Sequence, residues 1–148
     1  MKKLSVIIIA LIMVLSLCSC ESRFKRADQT ALGFISAMLV RDEEAMLKFV
    51  HPDHKDSAVP NDEFYETLEE QYFEIGHELT ALDSITKNYR DDTSLDGTVL
   101  ECGYVARVNE LFYSIDLIIL DNDNGYGIVS VAATLNTNAE YYHQDGID

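Results

Sequence analysis

The chain has 148 residues, with 26 acidic against 11 basic side chains and a formal charge of −15. That length suits one domain, and 47 % apolar with 25 % charged residues is the composition of a packed core, not of a disordered chain. So acidic a surface excludes nucleic acid as a partner and disfavours anionic lipid headgroups contacted through the folded domain.

The amino terminus reads as an address. Lys2 and Lys3 are followed by an uncharged run from Leu4 to Cys18. That is about 15 residues, short of the roughly 20 that a membrane-spanning helix needs, so a secretory signal peptide is expected. Leu17-Cys18-Ser19-Cys20 resembles the lipobox of bacterial lipoproteins, with an aliphatic residue at −3, a small one at −1 and the modified cysteine at +1. Cys18 fits that role poorly, because Leu17 would then occupy −1. The resemblance implies a signal peptide over 1–19, cleavage before Cys20 and diacylglycerol on its sulfur. Two or three acyl chains then hold the domain stably on the outer side of the bacterial cell membrane. An uncleaved amino-terminal anchor is the alternative. Loss of Lys2 and Lys3 leaves 9 basic against 26 acidic residues, a charge of −17. Cys102 is then the only thiol left, so no intramolecular disulfide can form.

Residues 20–27 read as the lipidated cysteine and a polar tether, 28–136 as one α+β domain, and 137–148 as a polar tail. Ala31, Phe34, Ile35, Met38 and Leu39 recur at helical steps, with Asp28 as the expected N-cap. Asp42 is placed to cap a second helix carrying Ala45, Met46, Phe49 and Val50, which stops at His51-Pro52. A polar loop is expected over 53–60. A third helix follows over Asn61–Ile75, with Phe64, Leu68, Tyr72 and Ile75 inward and Gly76 as its C-terminal cap. Its other face, Glu63, Glu66, Glu69, Glu70 and Glu74, reads as solvated.

Beyond Gly76 the period changes to two, predicting strands over Glu78–Tyr89, Thr98–Val108, Leu111–Leu120 and Gly127–Leu135. Short turn-rich connections make these an antiparallel meander, and helices before a meander predict an α+β domain with helices on one face of a curved four-stranded sheet. The pattern Ala31, Phe34, Ala37, Met38, Asp42, Ala45, Met46, Phe49 and Pro52 resembles the first helical pair of small secreted bacterial members of the cystatin-like, nuclear-transport-factor-two-like superfamily. That resemblance implies a cone in which helices fill the concave side of the sheet. It leaves function open, since the superfamily holds isomerases, dehydratases and non-enzymatic binding modules.

The chemistry-bearing residues are few. Cys102 alternates with Leu100, Tyr104 and Ala106 and reads as a buried small hydrophobe with no neighbouring base in the sequence. His51-Pro52-Asp53-His54-Lys55-Asp56 lacks the helical spacing of a zinc site. Asp121-Asn122-Asp123-Asn124-Gly125 fails the calcium-loop register, with Tyr126 and Ala132 at the sixth and twelfth positions, and reads as a hairpin turn in which Asn124 and Gly125 tolerate positive φ. Asp116 interrupts an apolar strand. In a dry pocket it would be a usable base, but the opposite face of its strand is wholly apolar, so an outer-face carboxylate beside Arg107 is expected. Tyr104, Asp116 and Tyr65 are the candidates for a pocket or interaction face. No catalytic residue, metal ligand or cofactor is expected. The reading is a non-catalytic module that binds a protein or a small hydrophobic ligand. The alternatives are a small isomerase- or dehydratase-like enzyme using the cone, and a subunit that forms a homodimer through a sheet strip of Phe112, Ile118 and Leu120.

Overall fold

The computed structural model describes residues 23–70, 77–109 and 111–136. The leader, Cys20, Tyr72, Glu74, Ile75, Gly76, Glu110 and the 137–148 tail lie outside them. The architecture is the expected α+β one: helices, then an open, curled antiparallel sheet of four strands in the order β1-β2-β3-β4.

Helix α1 covers residues 23–39. Phe24, Ala27, Ala31, Phe34, Ile35 and Met38 continue one stripe at three- and four-residue steps, so the helix includes residues read as tether, and Asp28 lies inside it rather than capping it. It ends in a Schellman motif. The Asp42 amide donates to the Ala37 carbonyl at 2.9 Å and the Arg41 amide to Met38 at 3.1 Å, with Arg41 at φ 55°. Helix α2 (Glu43–Leu47) is capped as expected, the Asp42 carboxylate accepting from the Ala45 amide at 2.9 Å. The stretch read as a polar loop is instead a 3₁₀ turn (Pro52–His54) running into α3 (Lys55–Ala58). In α4 (Asp62–Glu70) the Asn61 side chain accepts from the Phe64 amide at 2.9 Å.

The strands are β1 (Ala81–Asp92), β2 (Gly97–Val108), β3 (Leu111–Asn122) and β4 (Gly125–Leu135). Strand β1 starts and ends three residues later than its pattern predicted. Its register against β2 shifts between Ser84 and Thr86. This bulge changes the parity of the strand. Leu82 and Ser84 pair with Ala106 and Tyr104 before it, and Lys87 and Tyr89 pair with Cys102 and Leu100 after it. At the first hairpin Asp92 accepts from the Ser94 hydroxyl and amide and the Leu95 amide, and these bonds hold its carboxyl down at about 2. In the last hairpin only Gly125 takes a positive φ, +155°, and Asn124 does not.

Segment 49–51 closes the outer edge of β4. The His51 amide donates to Ile128 and the Ile128 amide to Phe49, both at 2.9 Å. The approach needs Gly127, because a Cβ there would stand 2.4 Å from the His51 nitrogen. The core lies between α1 and one sheet face. Phe34, Ile35 and Met38 meet Leu100, Cys102, Tyr104 and Ala106 of β2 with Tyr113, Ile115, Leu117 and Ile119 of β3.

Candidate functional site

Between α1 and the sheet the described residues form a polar network. Tyr104 is buried, and its hydroxyl donates to Asp28 at 3.1 Å. Lys87, turned inward by the bulge, donates to the same carboxylate at 2.6 Å. A strand lysine, a strand tyrosine and a helix aspartate thus bind α1 to β1 and β2. Cys102 sits beside them, 2 % exposed. Burial, more than any neighbouring charge, pushes the Cys102 thiol and the Tyr104 hydroxyl above their ordinary pKa values. Both are therefore neutral at pH 7, and neither is poised as a nucleophile or a base.

At the first described turn of α1, Arg23, Arg26, Tyr89, Leu100, Asp121 and Tyr126 border a cavity of about 30 Å³. That is room for a single water and little more. The Arg26 guanidinium lies 3.6 Å from the centre of the Tyr126 ring. Burial raises the Tyr126 hydroxyl to about 12, with the nearby Arg26 charge acting in the opposite direction.

Asp116 stands on the opposite face of the sheet, exposed as expected. Its register partner is Gly103. The expected pairing with Arg107 is absent: the Arg107 side chain donates to the Asn109 carbonyl at 3.0 Å and lies over Phe112. Thr86, Asn88, Glu101 and Asp116 line an open groove of about 280 Å³ over Gly103. Of the apolar strip expected on this face, Leu120 is buried and Phe112 and Ile118 are half-buried.

Tyr65, expected off the apolar stripe of its helix, is buried on it. Its hydroxyl donates to the Met38 carbonyl at 3.2 Å, and Arg41 caps its ring at 4.3 Å while pairing with Glu69 at 2.9 Å. It borders an open groove of about 500 Å³ between α2, α3 and α4, with Arg41, Glu43, Lys55 and Asp62 on the rim. Burial is the main cause of its raised pKa.

Two stretches that the sequence keeps apart do meet. His51 is fully buried. Its Nδ1 accepts from the Asp53 amide at 3.2 Å, which puts the ring proton on Nε2, donated to Asn122 Oδ1 at 3.0 Å. Asn124 donates to Asp53 at 2.8 Å. Both ring nitrogens are engaged in holding the 3₁₀ turn to the last hairpin. Among the described residues no three His, Cys, Asp or Glu side chains converge as a metal site.

Tyr104, Asp116 and Tyr65 are therefore not one site. The first lies between α1 and the sheet, the second on the other sheet face and the third between helices. Lys87 is the polar residue that sequence reasoning missed, while Asp28 was expected as a helix cap and His51 in a polar loop. The helical phase of Phe24, Ala27 and Ala31 is the signal that could have put Asp28 inside α1.

No family model matches the chain, and no curated protein sequence matches it. The helices followed by a curled antiparallel sheet define an α+β fold compatible with a cystatin-like or nuclear-transport-factor-two-like domain. Among the described residues no helix is long and apolar enough to cross a membrane.

Proposed function

We propose that the chain is an extracytoplasmic lipoprotein, cleaved before Cys20 and held to the bacterial cell membrane by lipid on that residue. Its domain acts as a non-catalytic module that binds a protein or a small hydrophobic ligand. The Leu17-Cys18-Ser19-Cys20 lipobox supports the anchor. The observation that carries the module reading is the filled cone. Phe34, Ile35 and Met38 occupy the side of the sheet where a substrate would enter, and the space left at the first described turn of α1 is about 30 Å³. The larger open grooves lie outside it, over Gly103 and between the short helices. An isomerase-like mechanism needs a carboxylate in a dry pocket, and Asp116 is solvent-exposed.

Mass spectrometry of the mature amino terminus tests the anchor. The expected result is an acylated Cys20, with Cys20→Ala left as unprocessed precursor and Cys18→Ala processed normally. An intact Met1 in the wild-type protein, or cleavage elsewhere without an acyl mass, removes this reading. Turnover of a small substrate, lost in Asp116→Asn, would overturn the module in favour of an enzyme.

A further inference from the structure

The net charge hides a segregation. Residues 42–70 hold ten acids against Lys48 and Lys55, whereas residues 23–26 hold Arg23, Lys25 and Arg26 and no acid. All three of these cations are exposed on the first described turns of α1. Elsewhere Arg41 pairs with Glu69, Lys87 with Asp28, and Arg90 with Asp92 and Glu101, while Lys48, Lys55 and Arg107 form no ion pair among the described residues. Among the described residues no carboxylate forms an ion pair with Arg23, Lys25 or Arg26. The Arg26 guanidinium is stacked on Tyr126, a contact that uses its face and leaves its edge able to donate.

Helix stability does not explain this placement. In a chain that begins at Cys20 these residues fall in the first two turns, where the helix dipole favours acids and disfavours cations. Distance supplies a different reason. Arg23 follows Cys20 by three residues, a reach of at most about 10 Å even when extended. That is about one Debye length at physiological salt, so a charge there feels the surface that holds the lipid.

We propose that Arg23, Lys25 and Arg26 seat against the anionic phospholipid headgroups of the membrane that holds Cys20, turning the acid-rich helices away from it. The proposal rests on the anchoring reading and deepens it. It also reverses, at one place, the inference from total charge that headgroups avoid the folded domain. Asp121, which borders the same cavity as Arg23 and Arg26, opposes the attraction. The acyl chains supply the affinity, so the basic turn sets orientation.

The test uses the processed lipoprotein in vesicles of phosphatidylcholine with or without phosphatidylglycerol. Amine-reactive labelling of Lys25 is read by mass spectrometry, with Lys48 and Lys55 as internal controls. Each basic residue near an anionic surface contributes a preference of roughly fivefold. Labelling of Lys25 is therefore expected to slow at least that much in the anionic vesicles, to recover in high salt, and to leave both controls unchanged. The double variant Arg23→Gln with Arg26→Gln, folded by circular dichroism, is expected to lose most of the protection. Equal labelling of Lys25 in both vesicles on acylated protein overturns the seating alone. A chain without an acyl mass removes the anchor and the seating together.

Discussion

On the sheet face that meets α1, Leu100, Cys102, Tyr104, Ala106, Tyr113, Ile115, Leu117 and Ile119 are all buried. The opposite face mixes buried Val99, Val105 and Leu120 with half-buried Glu101, Arg107, Phe112 and Ile118 and exposed Asp116. Both faces come from the same two-residue alternation in the same two strands. The difference is the partner. Helix α1 lies along the first face and shuts the residues named there off from water. Large effects of substitution are therefore expected on the helix side and small ones on the other.

Removing a ring from each side gives the largest expected contrast. Phe34 is fully buried under the sheet, and Phe34→Ala should cost about 3–5 kcal/mol. Phe112 is half-buried beside Arg107, and Phe112→Ala should cost about 1 kcal/mol. Urea unfolding of both variants checks the contrast. Equal losses would mean that something covers the outer face as tightly as α1 covers the inner one.

Cys102 gives the next largest effect, and a chemical readout as well. Its thiol is buried and its pKa is raised by that burial, so maleimide should label it only after unfolding. Cys102→Ser replaces a small hydrophobe with a hydroxyl and should cost about 1–3 kcal/mol. Fast labelling of native protein at neutral pH would place the thiol on the outer face and invert the register of β2.

Much of this contrast is legible in the sequence, because one-sided burial writes itself as periodicity. The alternation of Leu100, Cys102, Tyr104 and Ala106 identified the inner face, and Asp42 before a short apolar run identified a cap. Polar residues placed by distant contacts leave no such trace. Asp28 stands before an apolar run, as a cap would, yet it serves as the acceptor for a tyrosine 76 residues away. Lys87 faces inward only because of the bulge between Ser84 and Thr86, and a strict two-residue period cannot register an extra residue. His51 is buried through Asn122, 71 residues on, so nothing local marks it.

The Asp28 network gives a smaller effect. Tyr104→Phe removes one hydroxyl donor from a carboxylate that keeps its bond to Lys87, so a loss of about 1 kcal/mol is expected. The ring and its packing stay in place, and urea unfolding at neutral pH is the measurement. A loss well above that figure would show that Asp28 depends on the tyrosine more than on the lysine.

Asp116 should give the smallest effect. It is the acid that interrupts the apolar run of β3, which makes it the natural suspect for a base. Its neighbours argue otherwise. The register sets it across from Gly103, and the groove above is lined by Thr86, Asn88 and Glu101 and open to water. A solvated carboxylate loses little when its charge is removed, and the amide of asparagine has nearly the same shape. Asp116→Asn should therefore shift stability by no more than about 0.5 kcal/mol. The contrasting case is a carboxylate in a dry cavity, where the same substitution would remove a costly buried charge and stabilise the fold. Urea unfolding of Asp116→Asn beside the wild type separates the two by sign and size. A clear gain in stability would move Asp116 out of solvent, and with it the exposed carboxylate that argues against an isomerase-like base.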